Sequence, residues 1–170
     1  MRALPCYSGC MTCGHSNQLG ANVTWQRFDH HVEGEFLGQH HHVSYQGVIH
    51  GGMITALLDE SIGWAVSIRH KKMCVTGGIN VQFKKPIAPG QKVLIKGFAD
   101  ETAGESSKYF SGRGEIIDGL GNVYALAQGK FFPLSDGQMN EVVKTMVHRY
   151  EPDREVRLTD LWKQTSDTVS

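Results

Sequence analysis

A chain of 170 residues with 40% apolar and 20% charged residues has the make-up of one folded domain with a full hydrophobic core. Seventeen basic residues balance seventeen acidic ones, so no global field favours nucleic acid or an anionic membrane, and an anionic ligand must be held by local groups. No apolar run reaches the ~20 residues that span a bilayer, and Met1-Arg2-Ala3-Leu4-Pro5-Cys6 lacks the apolar core of a secretory signal, so the cytoplasm is the expected location.

Residues 1–20 are rich in Gly, Ser, Cys and Asn and read as a loop. Over residues 21–29, Val23, Trp25 and Phe28 predict a strand, with 32–37 as its hairpin partner. Residues 38–46 are polar, carry His40, His41 and His42 in a row, and read as an exposed loop. Residues 51–69 predict a long helix. Four β-like runs follow, 74–83, 92–101, 108–117 and 122–132, separated by turn-forming residues at 86–90, 102–105 and 118–121. Ser135 or Asp136 is placed to cap a final helix, whose apolar residues Met139, Val142, Val143, Met146, Val147 and Tyr150 recur at helical spacing. The tail, 151–170, is polar apart from the anchors Leu158, Leu161 and Trp162. Short turns between the strands imply an antiparallel sheet, hence an α+β fold.

The helix at 51–69 contains no proline and is apolar on nearly all faces, which marks a buried helix. Arg69, His70, Lys71 and Lys72 follow at its C-terminal end, where the helix dipole favours cations. Asp59 and Glu60 interrupt this apolar run, and burying an unpaired carboxylate is costly. Two readings stand for Asp59: a structural carboxylate bound to backbone amides or an Arg, or a general base or nucleophile in a dry pocket. Gly51 and Gly52 support the second, because they leave backbone N–H groups unobstructed at the positive end of the dipole. Asp59 follows Gly52 by seven residues, on the same helix face.

These residues carry a resemblance. The stretch Gly47-Val-Ile-His50-Gly51-Gly52-Met-Ile-Thr-Ala-Leu-Leu-Asp59-Glu60-Ser-Ile-Gly63-Trp-Ala resembles the signature of hotdog-fold thioesterases of the phenylacetate-pathway type. Thr76-Gly-Gly-Ile-Asn80-Val-Gln-Phe83-Lys-Lys85-Pro86-Ile-Ala-Pro-Gly90 and Gly114-Glu-Ile-Ile-Asp118-Gly-Leu-Gly121-Asn-Val-Tyr-Ala125-Leu-Ala-Gln-Gly129 are similar to later parts of the same family. The resemblance implies a curved antiparallel sheet wrapped around one long helix over residues 21–134, after a Cys-rich leader at 1–20 and before an amphipathic helix and polar tail at 135–170. It implies a homodimer, or a dimer of dimers, with sites at the subunit interface and coenzyme A present only as part of the substrate. Gly52 N–H would polarise the thioester carbonyl, beside Gly51. Asp59 of the facing subunit would activate water or attack directly. His50 is the motif histidine, expected to shape the turn more than to transfer protons. Thr76 falls where such enzymes place a hydroxyl near the attacking water, and is equally readable as an ordinary strand threonine. The family often has Asn six residues before the motif histidine, where this chain has Ser44; Gln46 is the candidate to take over that contact. Glu60 and Lys85 complete the expected substrate contacts, with Lys71, Lys72 and Lys84 as further lysines for phosphates or solvent. Trp64, Phe83 and Tyr109 are the residues expected to set pocket length.

Cys6, Cys10, Cys13 and His15 contain enough ligand types for a tetrahedral zinc, but their spacing lacks the second pair of a zinc ribbon or finger. Residues 10–20 also look like a leader found in many hotdog thioesterases, which lies over the domain without metal. No metal is therefore expected. Cys74 reads as a core residue at a strand start. Three functions compete: thioester hydrolysis, with hydratase chemistry on the same fold ranked below it; a non-catalytic acyl-CoA-binding or sensor protein; and a zinc-dependent interaction protein built on the leader. A pure binder has little use for a carboxylate such as Asp59 beside the thioester.

Overall fold

The computed structural model describes residues 2–101 and 108–163. Strands β1 (Arg2–Ala3), β2 (Gln26–Arg27) and β3 (Val32–Leu37) precede a 3-10 turn at His40–His42. A small hairpin of β4 (Val43–Tyr45) and β5 (Val48–Ile49) delivers the chain to α1 (Gly51–His70). Then come β6 (Cys74–Phe83), β7 (Lys92–Ala99), β8 (Phe110–Ile117), β9 (Val123–Pro133), α2 (Asp136–Lys144) and α3 (Leu158–Trp162). Among the described residues seven strands form one antiparallel sheet in the order β1-β2-β3-β7-β8-β9-β6, with β6 at its edge.

The sheet holds α1 because its inner face is lined with small residues where the helix comes closest. β3, β7, β8 and β9 alternate buried and less buried positions, so one face of each meets the helix. Gly97 pairs with Gly114 and Gly112 with Gly129, forming a floor without side chains. A Cβ at Gly97 would collide with the backbone carbonyl of Ser61, in the middle of α1. Onto this floor α1 packs Leu57, Leu58, Ile62 and Val66, all fully buried. Each such side chain contributes roughly 1.5–3 kcal/mol by leaving water. The helix stops at Lys71, which takes the left-handed conformation at φ 53° with its N–H on the Ser67 carbonyl.

Two expectations need correction. The strand expected over 21–29 shrinks to Gln26–Arg27. Val23 and Trp25 are buried, yet their segment packs over β3 while the leader takes up its backbone, with Val23 N–H on Thr12 O and Leu4 N–H on Trp25 O. The helix expected to reach residue 150 ends at Lys144. Val147 leaves it to exchange two backbone hydrogen bonds with Cys6, at 2.8 and 2.9 Å, which a helical residue could not offer. Ser135 caps α2 as expected, in a reciprocal capping box with Gln138. The leader and the C-terminal segment thus brace one another: Arg149 also donates to Asn22 and Thr24, and Arg27 donates to the carbonyls of Leu161 and Lys163. The turn expected at 102–105 lies outside the described residues, as does the end of the polar tail.

Candidate active site

The start of α1 is set by His50. Its backbone is extended, and its side chain caps the helix, Nδ1 accepting from Gly52 N–H at 2.8 Å. The ring therefore carries its proton on Nε2. Its backbone N–H donates to the carbonyl of His42 at 2.8 Å, tying the histidine turn to the helix. His42 is buried against Phe36, a correction to the reading of three exposed histidines; burial lowers its pKa below the ordinary histidine value. Gly52 itself is exposed, and its N–H is held by the His50 imidazole.

Two turns further along, Asp59 Oδ1 accepts a hydrogen bond from the Thr76 hydroxyl on β6 at 2.8 Å. The Asp59 carboxyl is partly buried, and that burial raises its pKa while the Thr76 bond pulls the other way. Helical rise separates Gly52 and Asp59 by roughly 10 Å along one face. That distance is too long for both to touch one carbonyl carbon.

Beside the helix start lies a cleft of about 370 Å³ lined by the β4–β5 hairpin, Gly51, Phe83, Lys85 and Tyr124. Gly51 and Lys85 thus share one cavity; the Lys85 ammonium rests 5.7 Å over the Tyr124 ring and 3.5 Å from Asn122 Oδ1. Ser44 lines the same cleft, whereas Gln46 is exposed on the hairpin turn beside Gly47, whose φ of +83° suits glycine. Tyr45 and Tyr124 were not singled out from the sequence: each sits in a strand run where an aromatic is unremarkable, and only the sheet register brings Tyr124 to the cleft.

Glu60 parts company with Asp59. Its carboxylate accepts from the Trp64 indole at 3.2 Å and from the Cys13 thiol at 3.5 Å, facing the leader. Burial pushes its pKa up to about 7. Trp64 is turned the same way, and Tyr109 stands near Phe132, so of the three expected pocket residues only Phe83 lines the cleft. A larger cavity of about 870 Å³ lies at the other end of α1, among Phe28, His31, Arg69 and Phe98, far from Gly52 along the helix. Cys74 is half-buried, its thiol donating to the Lys72 carbonyl.

Comparison with known proteins gives a partial family match and a shared fold. The model of the thioesterase superfamily matches residues 46–110, a span that runs from the hairpin turn through α1, β6 and β7. Over these residues, less than half of the chain, the sequence is similar to the thioesterase superfamily. No curated protein matches the sequence. Solved structures of this superfamily share the hotdog architecture. A thioesterase superfamily protein superposes with a TM-score of 0.66 at 21% identity, over 74% of this chain and 60% of its own. The present chain thus spans about three fifths of that protein. A Streptococcus mutans protein bound to acetyl-CoA superposes at 0.60 with 24% identity, over 67% of this chain and 90% of its own. The E. coli PaaI protein from the phenylacetic acid degradation operon does so at 0.60 with 16% identity, over 68% and 81%. Among the described residues no helix, the 20-residue α1 included, is long and apolar enough to cross a membrane.

Proposed function

We propose that this chain is an acyl- or aryl-CoA thioesterase whose sites each join Gly52 of one protomer to Asp59 of the partner subunit. The carrying observation is the pairing of Thr76 with Asp59 on the face of α1 that also bears Gly52, at a separation one protomer cannot close on a single thioester. A two-fold dimer that brings the facing helices alongside one another, running oppositely, sets Gly52 beside the partner subunit's Asp59 twice over. The edge strand β6 supports such a pairing, since it exposes a ten-residue ladder edge together with Val75 and Phe83.

In this reading the acyl carbonyl oxygen takes the hydrogen bond of Gly52 N–H, displacing the His50 ring or sharing the donor with it. Asp59 either removes a proton from water, whose oxygen adds to the carbonyl carbon, or adds to it directly. Negative charge grows on the carbonyl oxygen and is held by the amide at the positive end of α1. The C–S bond then breaks and the coenzyme A thiolate leaves, taking a proton from Asp59 in the general-base route. After direct attack it takes one from water, and a second water then hydrolyses the acyl–Asp59 anhydride to the free acid and the carboxylate. Thr76 holds the carboxylate in register, Gln46 flanks the entrance, and Lys85 with Lys84 offers charge to the phosphates beside the Gly51 cleft. The fall of Glu60 toward the leader leaves it no part in this scheme. A free CoA ester is a substrate of the expected cytoplasmic location.

The test is free-thiol release from a panel of acyl- and aryl-CoA esters, with Asp59→Asn alongside. Wild type should turn over, and the variant, folded and of unchanged oligomeric state, should lose roughly a hundredfold, about 3 kcal/mol of barrier. An equally active variant makes Asp59 structural. Esters that bind without turnover make the protein an acyl-CoA-binding module. Trapping with hydroxylamine during turnover separates base from nucleophile, since only direct attack forms an acyl–Asp59 anhydride, which hydroxylamine cleaves to a hydroxamate. Label on Asp59 after a single turnover in heavy-oxygen water would likewise show direct attack.

A further inference from the structure

The leader and α1 bring together a set of metal-ligating groups that has no part in thioester chemistry. Ligand atoms of Cys10, Cys13 and Glu60 all lie within 4.8 Å of one another. Cys13 is also in hydrogen-bond reach of Cys6, whose Sγ lies 4.0 Å from His15 Nδ1. We propose that Cys6, Cys10, Cys13 and Glu60 form a zinc site that clips the leader to α1.

Four features of the molecule carry this. The first is ligand chemistry: the Cys10 and Cys13 thiols and the Glu60 carboxylate lie within 4.8 Å of one another, the Cys6 thiol stands beside Cys13, and such a sulfur-rich set selects zinc. The second is spacing. Zinc bonds of about 2.3 Å to sulfur and about 2.0 Å to oxygen set a tetrahedral S···O edge of about 3.5 Å. The Cys13 Sγ to Glu60 Oε1 distance is 3.5 Å, so a zinc ion needs little movement of either group.

The third feature is the outer shell. Thr12 directs its backbone N–H at Cys10 Sγ at 3.4 Å, and its hydroxyl lies 3.2 Å from the same sulfur. Gly14 closes the loop tightly, its N–H on Cys10 O at 3.0 Å, and a Cβ there would strike the backbone of Cys10 and Ser8. Backbone donors aimed at sulfur, on a turn that admits only glycine, are the support a thiolate ligand needs. The nearby Arg149 guanidinium offsets part of the negative charge that three thiolates and a carboxylate carry around a divalent ion.

The fourth is the position of Glu60. A half-buried carboxylate that accepts from an indole N–H and a thiol is better compensated with a cation beside it. This site explains why the chain carries a second carboxylate on α1 next to Asp59, and it anchors 20 residues of leader beside the helix that bears the proposed catalytic group.

The measurement is metal content of the full-length protein by mass spectrometry, as isolated and after reconstitution with Zn²⁺ under reducing conditions. About one zinc per chain is expected. Replacement by Co²⁺ should give sulfur-to-cobalt charge-transfer absorption. Cys10→Ser and Cys13→Ser should lose the metal, and Cys74→Ser should keep it. Glu60→Gln should keep the charge-transfer bands, shift the ligand-field bands and weaken Zn²⁺ affinity at least tenfold. Retained affinity and unshifted bands in that variant would assign the fourth ligand elsewhere, with His15 next in line, and overturn the site as stated. Wild type that stays metal-free after reconstitution overturns it outright, whether the three cysteines then prove to be free thiols or a disulfide. This wild-type measurement decides even if the variants fail to fold. None of these readouts depends on thioesterase activity.

Discussion

His50 has a job that its place in the motif does not reveal. Its ring caps α1 by accepting from Gly52 N–H, the same donor assigned to the substrate carbonyl. His50→Ala should therefore cost about 1 kcal/mol of stability, the usual worth of an N-cap, and His50→Asn should recover most of it. Thermal unfolding checks the first effect. Steady-state kinetics should show a loss under tenfold for His50→Ala, far smaller than for Asp59→Asn, because a cap that yields its donor does not transfer protons. At the other end of α1, Lys71 holds φ at 53°, which costs a residue with a Cβ and costs glycine nothing. Lys71→Gly should raise stability by roughly 0.5–1 kcal/mol in chemical denaturation.

The contact between α1 and β7 depends on one missing side chain. Gly97 faces the Ser61 carbonyl, and backbone cannot rotate aside as a side-chain tip can. Gly97→Ala should push the helix off the sheet and cost roughly 3 kcal/mol, read as a lower denaturant midpoint. The same displacement moves Asp59 relative to Thr76, so activity should fall with stability. Gly119, in the β8–β9 turn, has open space where its Cβ would go, and Gly119→Ala serves as the neutral control.

For the whole molecule, the weak point is the β6 edge. Val75 and Phe83 are more than half exposed, at 51% and 56%, on a strand with an open ladder. A lone chain with this edge invites pairing. Val75→Glu with Phe83→Glu sets like charges on both sides of a two-fold contact and should give a monomer by light scattering. If each site takes its carboxylate from the partner, thioesterase activity should vanish with the dimer while the fold, by circular dichroism, persists. A monomeric variant that still turns over would show that one protomer suffices.

Periodicity and turn chemistry were enough to place the long buried helix, its Gly-Gly start and the four long strands after it, because these are local properties. An all-apolar helix must be covered, and short turns favour antiparallel pairing, as between β8 and β9, although β6 pairs with β9 and not with β7, the strand that follows it. The pairing of Asp59 with Thr76, 17 residues apart, was foreseeable only as a family likeness. Other features rest on contacts between distant parts of the chain, which no local pattern encodes. Trp25 sits outside the strand its neighbours suggested, because the leader competes for its backbone. Val147 breaks off the last helix to bind Cys6, since a backbone partner across the fold outweighs helical spacing. Glu60 turns from the substrate side to Cys13 across 47 residues, and that long-range meeting, invisible in the spacing of the cysteines alone, is what completes a metal-binding set.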